Sequence, residues 1–160
     1  MEISRRLNLV QPIETETGTI YIHSTPISTD VWRNYFLALT KTYSELFTQG
    51  IHTVAGPAVA TLMLETVSRA EGGWDGDAGV KRGLLPEIRR LTNVVMQTSA
   101  GWQTLPYEEA LNRKLISPET AEEAEGTIVF FICASAVLRG PRAMKKLTVL
   151  LGMMESMWDA

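Results

Sequence analysis

The stretch of residues 117–139 constrains this fold most, because it predicts one helix with no solvated face. Ser117 followed by a proline is typical of a helix start. The serine hydroxyl can accept hydrogen bonds from the amides of the first turn, and proline suits the first helical position because it has no N–H that would lack a partner. From Ile128 to Leu138 the only polar residue is Ser135. A helix that is apolar all round must be buried on all sides. We therefore expect the other elements to surround it, and the cation, glycine and proline of residues 139–141 to end it.

Length and charge set the broad class. The chain has 160 residues, 45% of them hydrophobic, and a formal net charge of −3. A chain of this length suits one ordinary domain that buries about 70% of its unfolded surface. We predict a single domain over residues 1–160, with a β-hairpin in residues 1–25 and helices over residues 28–158. The acidic balance is a poor match for phosphate backbones, so nucleic acid is not an expected partner.

The apolar run also bears on the cellular compartment. It has 11 residues, whereas a helix that crosses a bilayer needs about 20, so we expect no membrane partner. The pair Arg5-Arg6 is not followed by the unbroken apolar stretch of a signal peptide. A lone Cys133 inside the run has no disulfide partner in the chain, and burial would make its thiol inert. We expect a cytosolic protein.

Two short apolar runs near the amino terminus predict a β-hairpin. They cover Leu7–Ile13 and Thr19–His23, and the intervening residues 14–18 end in glycine. In the second run Ile20 and Ile22 fall on one face, as a strand with one covered face requires. A lone hairpin is marginal in water, so it must lie on a helix or pair with another chain. We place Ile20 and Ile22 in a candidate partner or oligomer interface.

Helical spacing of apolar residues describes the next part of the chain. Ser28 should cap a first long helix that ends at Gly50. This helix carries an aromatic stripe of Trp32, Tyr35, Phe36, Leu39, Tyr43, Leu46 and Phe47. Gly56 starts a second helix, and the glycine-rich residues 72–79 form a loop.

The remaining pattern also predicts helices. One runs from about Leu84 or Pro86 to Gln97, a short one follows Pro106, and the last follows Pro141. On the first of these helices, the side chains expected to face the core are those of Leu84, Leu85, Ile88, Leu91, Val94 and Val95. The expected fold is therefore mainly α, an orthogonal helical bundle of about five or six helices with a small N-terminal β-hairpin.

The sequence contains no pattern that we interpret as a catalytic or metal site. Nucleophilic catalysis needs a nucleophile, a base and an orienting group, and His23 and His52 stand without a serine motif or an exposed cysteine. Asp75 and Asp77 resemble the opening of a calcium loop, but the later positions that need glycine and glutamate hold valine and proline. We expect no enzyme activity, no metal and no cofactor.

The residues after Pro141 form a stripe that is rich in methionine. Methionine suits surfaces that accept varied apolar partners, but a methionine stripe at helical spacing is also common in plain core, and both interpretations stay open. The candidate partner or oligomer contacts in this stripe are Met144, Leu147, Leu151, Met154 and Trp158. Head-to-tail contacts between unlike faces would give rings or open spirals, so we expect a homo-oligomer.

Four blocks of the sequence resemble the tail assembly chaperones of long-tailed bacteriophages. They are Arg5–Phe47 with its HSTPIS turn, Gly56–Ser68 (GPAVATLMLETVS), Gly83–Val95 (GLLPEIRRLTNVV) and Gly101–Val137. Their order is that of one branch of this family: hairpin, turn, aromatic helix, EIRRLTNV helix and late apolar helix. The resemblance covers nearly residues 5–138, is weaker afterwards, and rests on structural motifs.

The resemblance implies a mainly α-helical, non-catalytic protein that coats the long helical tape measure protein in the bacterial host cytoplasm. Such a chaperone keeps the tape measure protein soluble until tail tube subunits replace it, and it is absent from the finished particle. The expected partners are the tape measure protein and other tail chaperone or tail tube subunits. Many genes of this family also yield a longer product by ribosomal frameshifting.

Three alternative functions stay open. A prophage-encoded look-alike could join the tail assembly of an invading phage and block it, because the chain stops at residues 158–160, soon after its methionine stripe. A structural minor tail protein would remain in the virion, where mass spectrometry of purified particles would detect it. A small helical enzyme would need polar side chains such as Tyr35, His52 or Asp75 to converge on one pocket.

Overall fold

The computed structural model describes residues 2–3, 8–51 and 55–137 of the chain. Within these ranges the backbone forms one antiparallel sheet with helices packed against one of its faces. Five strands follow one another across the sheet in chain order. They are β1 (Glu2–Ile3), β2 (Leu9–Thr15), β3 (Gly18–Ser24), β4 (Thr92–Thr98) and β5 (Gly101–Pro106).

The described helices lie in two groups along the chain. Three of them connect β3 to β4, and two follow β5. They are α1 (Thr29–Thr48), α2 (Gly56–Ala70), α3 (Leu85–Arg90), α4 (Tyr107–Asn112) and α5 (Pro118–Val137). A π-helical turn, Val80–Leu84, leads directly into α3.

The sheet shows that the predicted mainly α bundle with a small hairpin is wrong, because the fold is mixed α and β. The predicted hairpin is present as β2 and β3, joined by a turn in which Gly18 has a φ of 126°. The free edge of β3 is occupied, however, since β3 also pairs with β4. The hairpin is therefore one part of a sheet that continues through β4 and β5.

The error lies in the helix predicted for residues 84–97. That helix ends at Arg90, and β4 begins two residues later. Val94 is fully buried opposite Ile22 of β3, and Val95 is on the other face of the strand. Apolar residues at these positions fit helical spacing and strand alternation equally well. Long-range pairing with β3 therefore decides the conformation.

Two predicted helix boundaries are confirmed. At the start of α1, Ser28 Oγ accepts a hydrogen bond from the backbone N–H of Val31 at 3.3 Å. At its end Gly50 has a φ of 70°, a left-handed conformation that glycine adopts without a steric penalty. The aromatic helix therefore begins and ends where the sequence signals it.

The central helix α5 confirms the prediction of a segment buried on all sides. It contacts α1, α2 and β2, so it lies between the sheet and the α1–α2 pair. Every side chain from Ile128 to Ala134 is at most 2% exposed. Ser117 Oγ accepts from the Thr120 N–H at 3.1 Å and caps the first turn. In the ranges that the structure describes, no helix combines the length and apolar composition that a bilayer span requires.

The buried thiol of Cys133 predicts a specific loss of stability at alkaline pH. Burial raises the pKa of this thiol from 9.0 to about 12. In the unfolded chain the thiol ionises near pH 9, but in the folded chain it stays protonated, so its contribution to stability is full below pH 9 and falls towards pH 12. At pH 10 the wild-type protein should have lost about 1.4 kcal/mol of unfolding free energy from this group.

Urea unfolding at about pH 8 and about pH 10 measures this loss, with Cys133→Ala as the matched variant. The variant should lose less stability than the wild-type protein over the same pH interval, whatever its absolute stability. Equal losses in the two proteins would contradict the predicted role of the thiol.

Candidate protein-binding surfaces

The outward side of α1 carries aromatic side chains that are not covered by the core. Leu39 and Leu46 of the predicted stripe turn into the core, whereas Phe36 is 40% exposed. Tyr43 and Phe47, one helical turn apart, have ring centroids separated by 4.6 Å at an interplanar angle of 49°. Only part of the stripe therefore packs into the core, and the rest faces outward.

These side chains line a shallow groove of about 400 Å³, which we call the aromatic groove. Its lining is Phe36, Thr40, Tyr43, Ser44 and Phe47 of α1, together with Ala136 near the end of α5. Thr40 Oγ1 donates to the Phe36 carbonyl at 2.8 Å, so this hydroxyl is satisfied within the helix. Burial raises the pKa of Tyr43, which keeps its phenol neutral. The groove thus presents an uncharged, mainly apolar surface.

A second exposed surface is the sheet face that points away from the helices, which we call the outer face. Strand register places on it Val10, Pro12, Glu14, Thr19, Tyr21, His23, Asn93, Val95, Gln97, Trp102, Thr104 and Pro106. Tyr21 and Trp102 lie diagonally across Val95, with ring centroids 6.0 Å apart. The indole of Trp102 is more than half exposed, so aromatic area is open to solvent at this face.

The structure places the predicted interface residues as follows. Ile20 and Ile22 lie in the hydrophobic core beneath the helices, and Ile22 is 0% exposed. They therefore belong to neither exposed surface of the described fold. The other predicted contacts, Met144, Leu147, Leu151, Met154 and Trp158, lie outside the described residues.

The side chains suggested for an enzyme pocket are each engaged locally or lie outside the described ranges. Tyr35 Oη donates to the Ala78 carbonyl at 3.0 Å. Asp75 is exposed, with its carboxylate 3.7 Å from the guanidinium of Arg69. His52 is not among the described residues. Within the described part of the chain, no three His, Cys, Asp or Glu side chains are grouped as a metal ion would require.

A partly buried polar cluster joins three helices. Arg89 of α3 donates to both carboxylate oxygens of Glu125 in α5 at 3.1 to 3.3 Å, and Glu108 of α4 lies 3.8 Å away. Burial is the largest single influence and lowers the pKa of Arg89, but the hydrogen bonds to Glu125 together with the negative charges of Glu125 and Glu108 outweigh it, so the net shift of the pKa is upward. Burial raises the pKa of Tyr107 to about 12, and its neutral hydroxyl donates to the Ala121 carbonyl at 3.1 Å. The cluster therefore fixes helix positions.

Sequence reasoning found the aromatic stripe and regarded it as able to contact another chain, but it did not predict the groove, and it missed the outer face. The spacing of Phe36 and Tyr43 also fits a core-facing stripe, so the sequence did not show that part of it stays open. The outer face was missed because the residues of β4 were predicted as part of a helix and no strand was predicted for the residues of β5. The alternation of Trp102, Thr104 and Pro106 with Gln103 and Leu105 was the available signal.

Comparison of this chain with protein-family models, with curated proteins and with solved structures gives no match.

Proposed function

We propose that this protein is a non-catalytic, tail-assembly-chaperone-like protein that binds the tape measure protein during phage or prophage tail morphogenesis. The observation that carries the proposal is the aromatic groove, an uncharged apolar surface on the outward side of α1. Grooves of this kind receive the apolar face of an amphipathic helix. The sequence resemblance supplies the identity of that helix, since a tape measure protein is a long helical polypeptide with apolar segments.

The dimensions of the groove suit a short stretch of helix. Phe36 and Phe47 stand eleven residues apart on α1, which corresponds to about 16 Å along the helix axis. A partner helix of about three turns, with apolar anchors at spacings of three and four residues, would cover this length. The hydroxyls of Thr40 and Ser44 in the lining tolerate sequence variation in the partner better than charged groups would.

A shallow groove gives modest affinity in each copy. Many copies along one tape measure protein would bind in parallel, and the rod would then stay covered although each contact is weak. Weak individual contacts would also allow tail tube subunits to replace the chaperone one copy at a time. We place this activity in the bacterial host cytoplasm, where the tape measure protein is made.

The test is co-expression of this chain with the tape measure protein of a long-tailed phage. Wild-type protein should increase the soluble fraction of the tape measure protein and co-purify with it. Phe36→Glu should weaken binding at least tenfold, because it places a charge in an apolar contact. Fluorescence anisotropy with labelled helical fragments of the tape measure protein gives the affinities.

Leu37→Glu is the matched control, because Leu37 is on the same helix, is 67% exposed and does not line the groove. It should bind like the wild-type protein. Equal binding by the two variants would remove the groove as the site, and failure of the wild-type protein to bind would contradict the function. Expression during infection by a related phage then separates a helper, which raises or restores tail yield, from a blocker, which leaves filled heads without tails.

A further inference from the structure

The aromatic groove lies where the described part of α5 ends. Ala136 of α5 lines the groove, and α5 ends one residue later, at Val137. Residues 138–160 lie outside the described ranges. Their sequence contains the apolar stripe Met144, Leu147, Leu151, Met154 and Trp158. The groove and the stripe are therefore separated by only a few residues of chain.

The stripe and the groove have the same periodicity. Successive residues of the stripe are three, four, three and four positions apart. On α1 the lining residues are four, three and four positions apart: Phe36, Thr40, Tyr43 and Phe47. Residues that alternate between these spacings form a narrow seam along a helix, and two such seams stay in contact over several turns. The groove therefore fits a helix with the pattern of residues 144–158.

The length and the charge of the stripe also match the groove. Met144 and Met154 are ten residues apart, which is about 15 Å along a helix, against about 16 Å between Phe36 and Phe47. The stripe contains no charged residue. The charged residues of the segment are at other positions of the predicted helix, namely Arg142, Lys145, Lys146, Glu155 and Asp159. The stripe could therefore pack into the uncharged groove while these charges keep their hydration.

We infer that residues 142–158 of the same chain occupy the aromatic groove as an amphipathic helix when no partner is bound. Connectivity favours this occupant over a separate helix of similar pattern. Residues 138–141 span at most about 14 Å, and they include Gly140 and Pro141, which stop helices. The segment is therefore held beside the groove and is free to turn back along it. A short tether gives an effective concentration in the millimolar range, which a separate chain at micromolar concentration does not reach.

The occupied state is reversible. Gly152 lowers the helix propensity of the segment, and a helix of this length is marginal in water by itself. The segment therefore becomes helical on the groove and unfolds when it leaves. With an effective concentration of about 1 mM and a weak intrinsic dissociation constant of about 0.1 mM, it fills the groove about nine-tenths of the time.

This occupancy regulates access to the groove, a consequence that rests on the proposed function. A helix of the tape measure protein has to displace the segment before it binds. Its apparent affinity is then lowered roughly tenfold, since only about one-tenth of the grooves are open. Leu147→Glu combined with Leu151→Glu should release the segment and raise this affinity roughly tenfold.

Hydrogen exchange of the full chain, followed by mass spectrometry, tests the inference without any partner. Amides of residues 142–158 should exchange about tenfold more slowly than in a free peptide of the same sequence. This protection should be the same at about 1 and about 100 micromolar protein, because the groove and the segment belong to one chain. Phe36→Glu and Ser44→Glu each place a charge in the groove and should abolish the protection. Ser44 is exposed, so its substitution removes no buried apolar side chain.

Two controls add the same charge outside the proposed contact. Val149→Glu is on the side of the predicted helix opposite the stripe, and Leu37→Glu is on α1 outside the groove. Both should keep the protection, and circular dichroism melts should show that every variant folds. An unprotected segment in the wild-type protein, protection that grows with protein concentration, or protection that survives both groove variants overturns the inference.

The two proposals fail in different ways. A protected segment in a protein that binds no helix of the tape measure protein would contradict the proposed function alone. An unprotected segment in a protein that binds such a helix through the groove would contradict this inference alone.

Discussion

Phe130→Ala is expected to lower the free energy of unfolding by about 4 kcal/mol, the largest effect that we predict for a single substitution. The Phe130 side chain is 1% exposed in the middle of α5. Its ring lies against Gly56 at the start of α2, where even an added Cβ would be 2.5 Å from Phe130 Cε2. Loss of the ring would leave a cavity between two helices. Denaturant unfolding followed by circular dichroism measures the change.

The control for this prediction is Phe36→Ala, which removes the same ring from a partly exposed site on α1. Its cost should stay near 1 kcal/mol, because little buried volume is lost. A similar cost for the two substitutions would show that α5 is not the centre of the core. The pair also separates stability from the proposed function, since Phe36→Ala should weaken the proposed binding of a partner helix while the fold remains intact.

Gly126→Ala is expected to destabilise the protein by about 2 kcal/mol although alanine favours helices. Helix propensity alone would predict a gain of about 1 kcal/mol. An added Cβ at Gly126, however, would lie 2.2 Å from the carbonyl oxygen of Pro57. This oxygen belongs to the backbone of α2, so α2 and α5 would have to separate. Overpacking of this kind typically costs 1 to 3 kcal/mol and should outweigh the gain in propensity.

Gly73→Ala provides the comparison for this substitution. A Cβ at Gly73 would come no closer than 3.9 Å to the nearest atom, the Ser68 carbonyl oxygen. Its effect on the unfolding free energy should stay within about 0.5 kcal/mol. If thermal melts show Gly126→Ala to be as stable as Gly73→Ala, the close approach of α2 and α5 would be contradicted.

Local signals predicted several elements of the fold correctly. The serine caps at Ser28 and Ser117 and the glycine at Gly50 act within one helical turn, so the sequence alone defines them. The burial of α5 also follows from composition, because a helix without a polar face has no stable place at the surface. These features require no knowledge of the rest of the chain.

The strands β4 and β5 could not be identified in the same way. Val94 and Val95 satisfy a helical period when taken with Leu91 and Ile88, and only the pairing of Val94 with Ile22 selects the strand. That pairing joins segments separated by three helices. The positive φ of Gly101, 100°, marks the β4–β5 turn, but a glycine after a predicted helix is equally typical of a helix end. The predicted helical architecture is therefore wrong for the residues of β4 and β5.

The same limit applies to the candidate surfaces. The sequence identifies the aromatic residues of α1, and their spacing shows that they share a broad face. Whether Phe36 is covered depends on how α5 packs beside α1, and the local sequence pattern of α1 does not predict this packing. The outer face depends on the sheet, so it could not be predicted once β4 and β5 were missed.

The burial of Cys133 makes the chain suitable for distance measurements with site-directed spin labels. It is the only cysteine in the sequence, and its raised pKa leaves almost no thiolate at neutral pH. A cysteine introduced at Leu37 or Leu62 would therefore be the one thiol that a nitroxide reagent reaches. Pulsed electron paramagnetic resonance between labelled copies would then report the distance between copies of this protein in any complex that contains more than one.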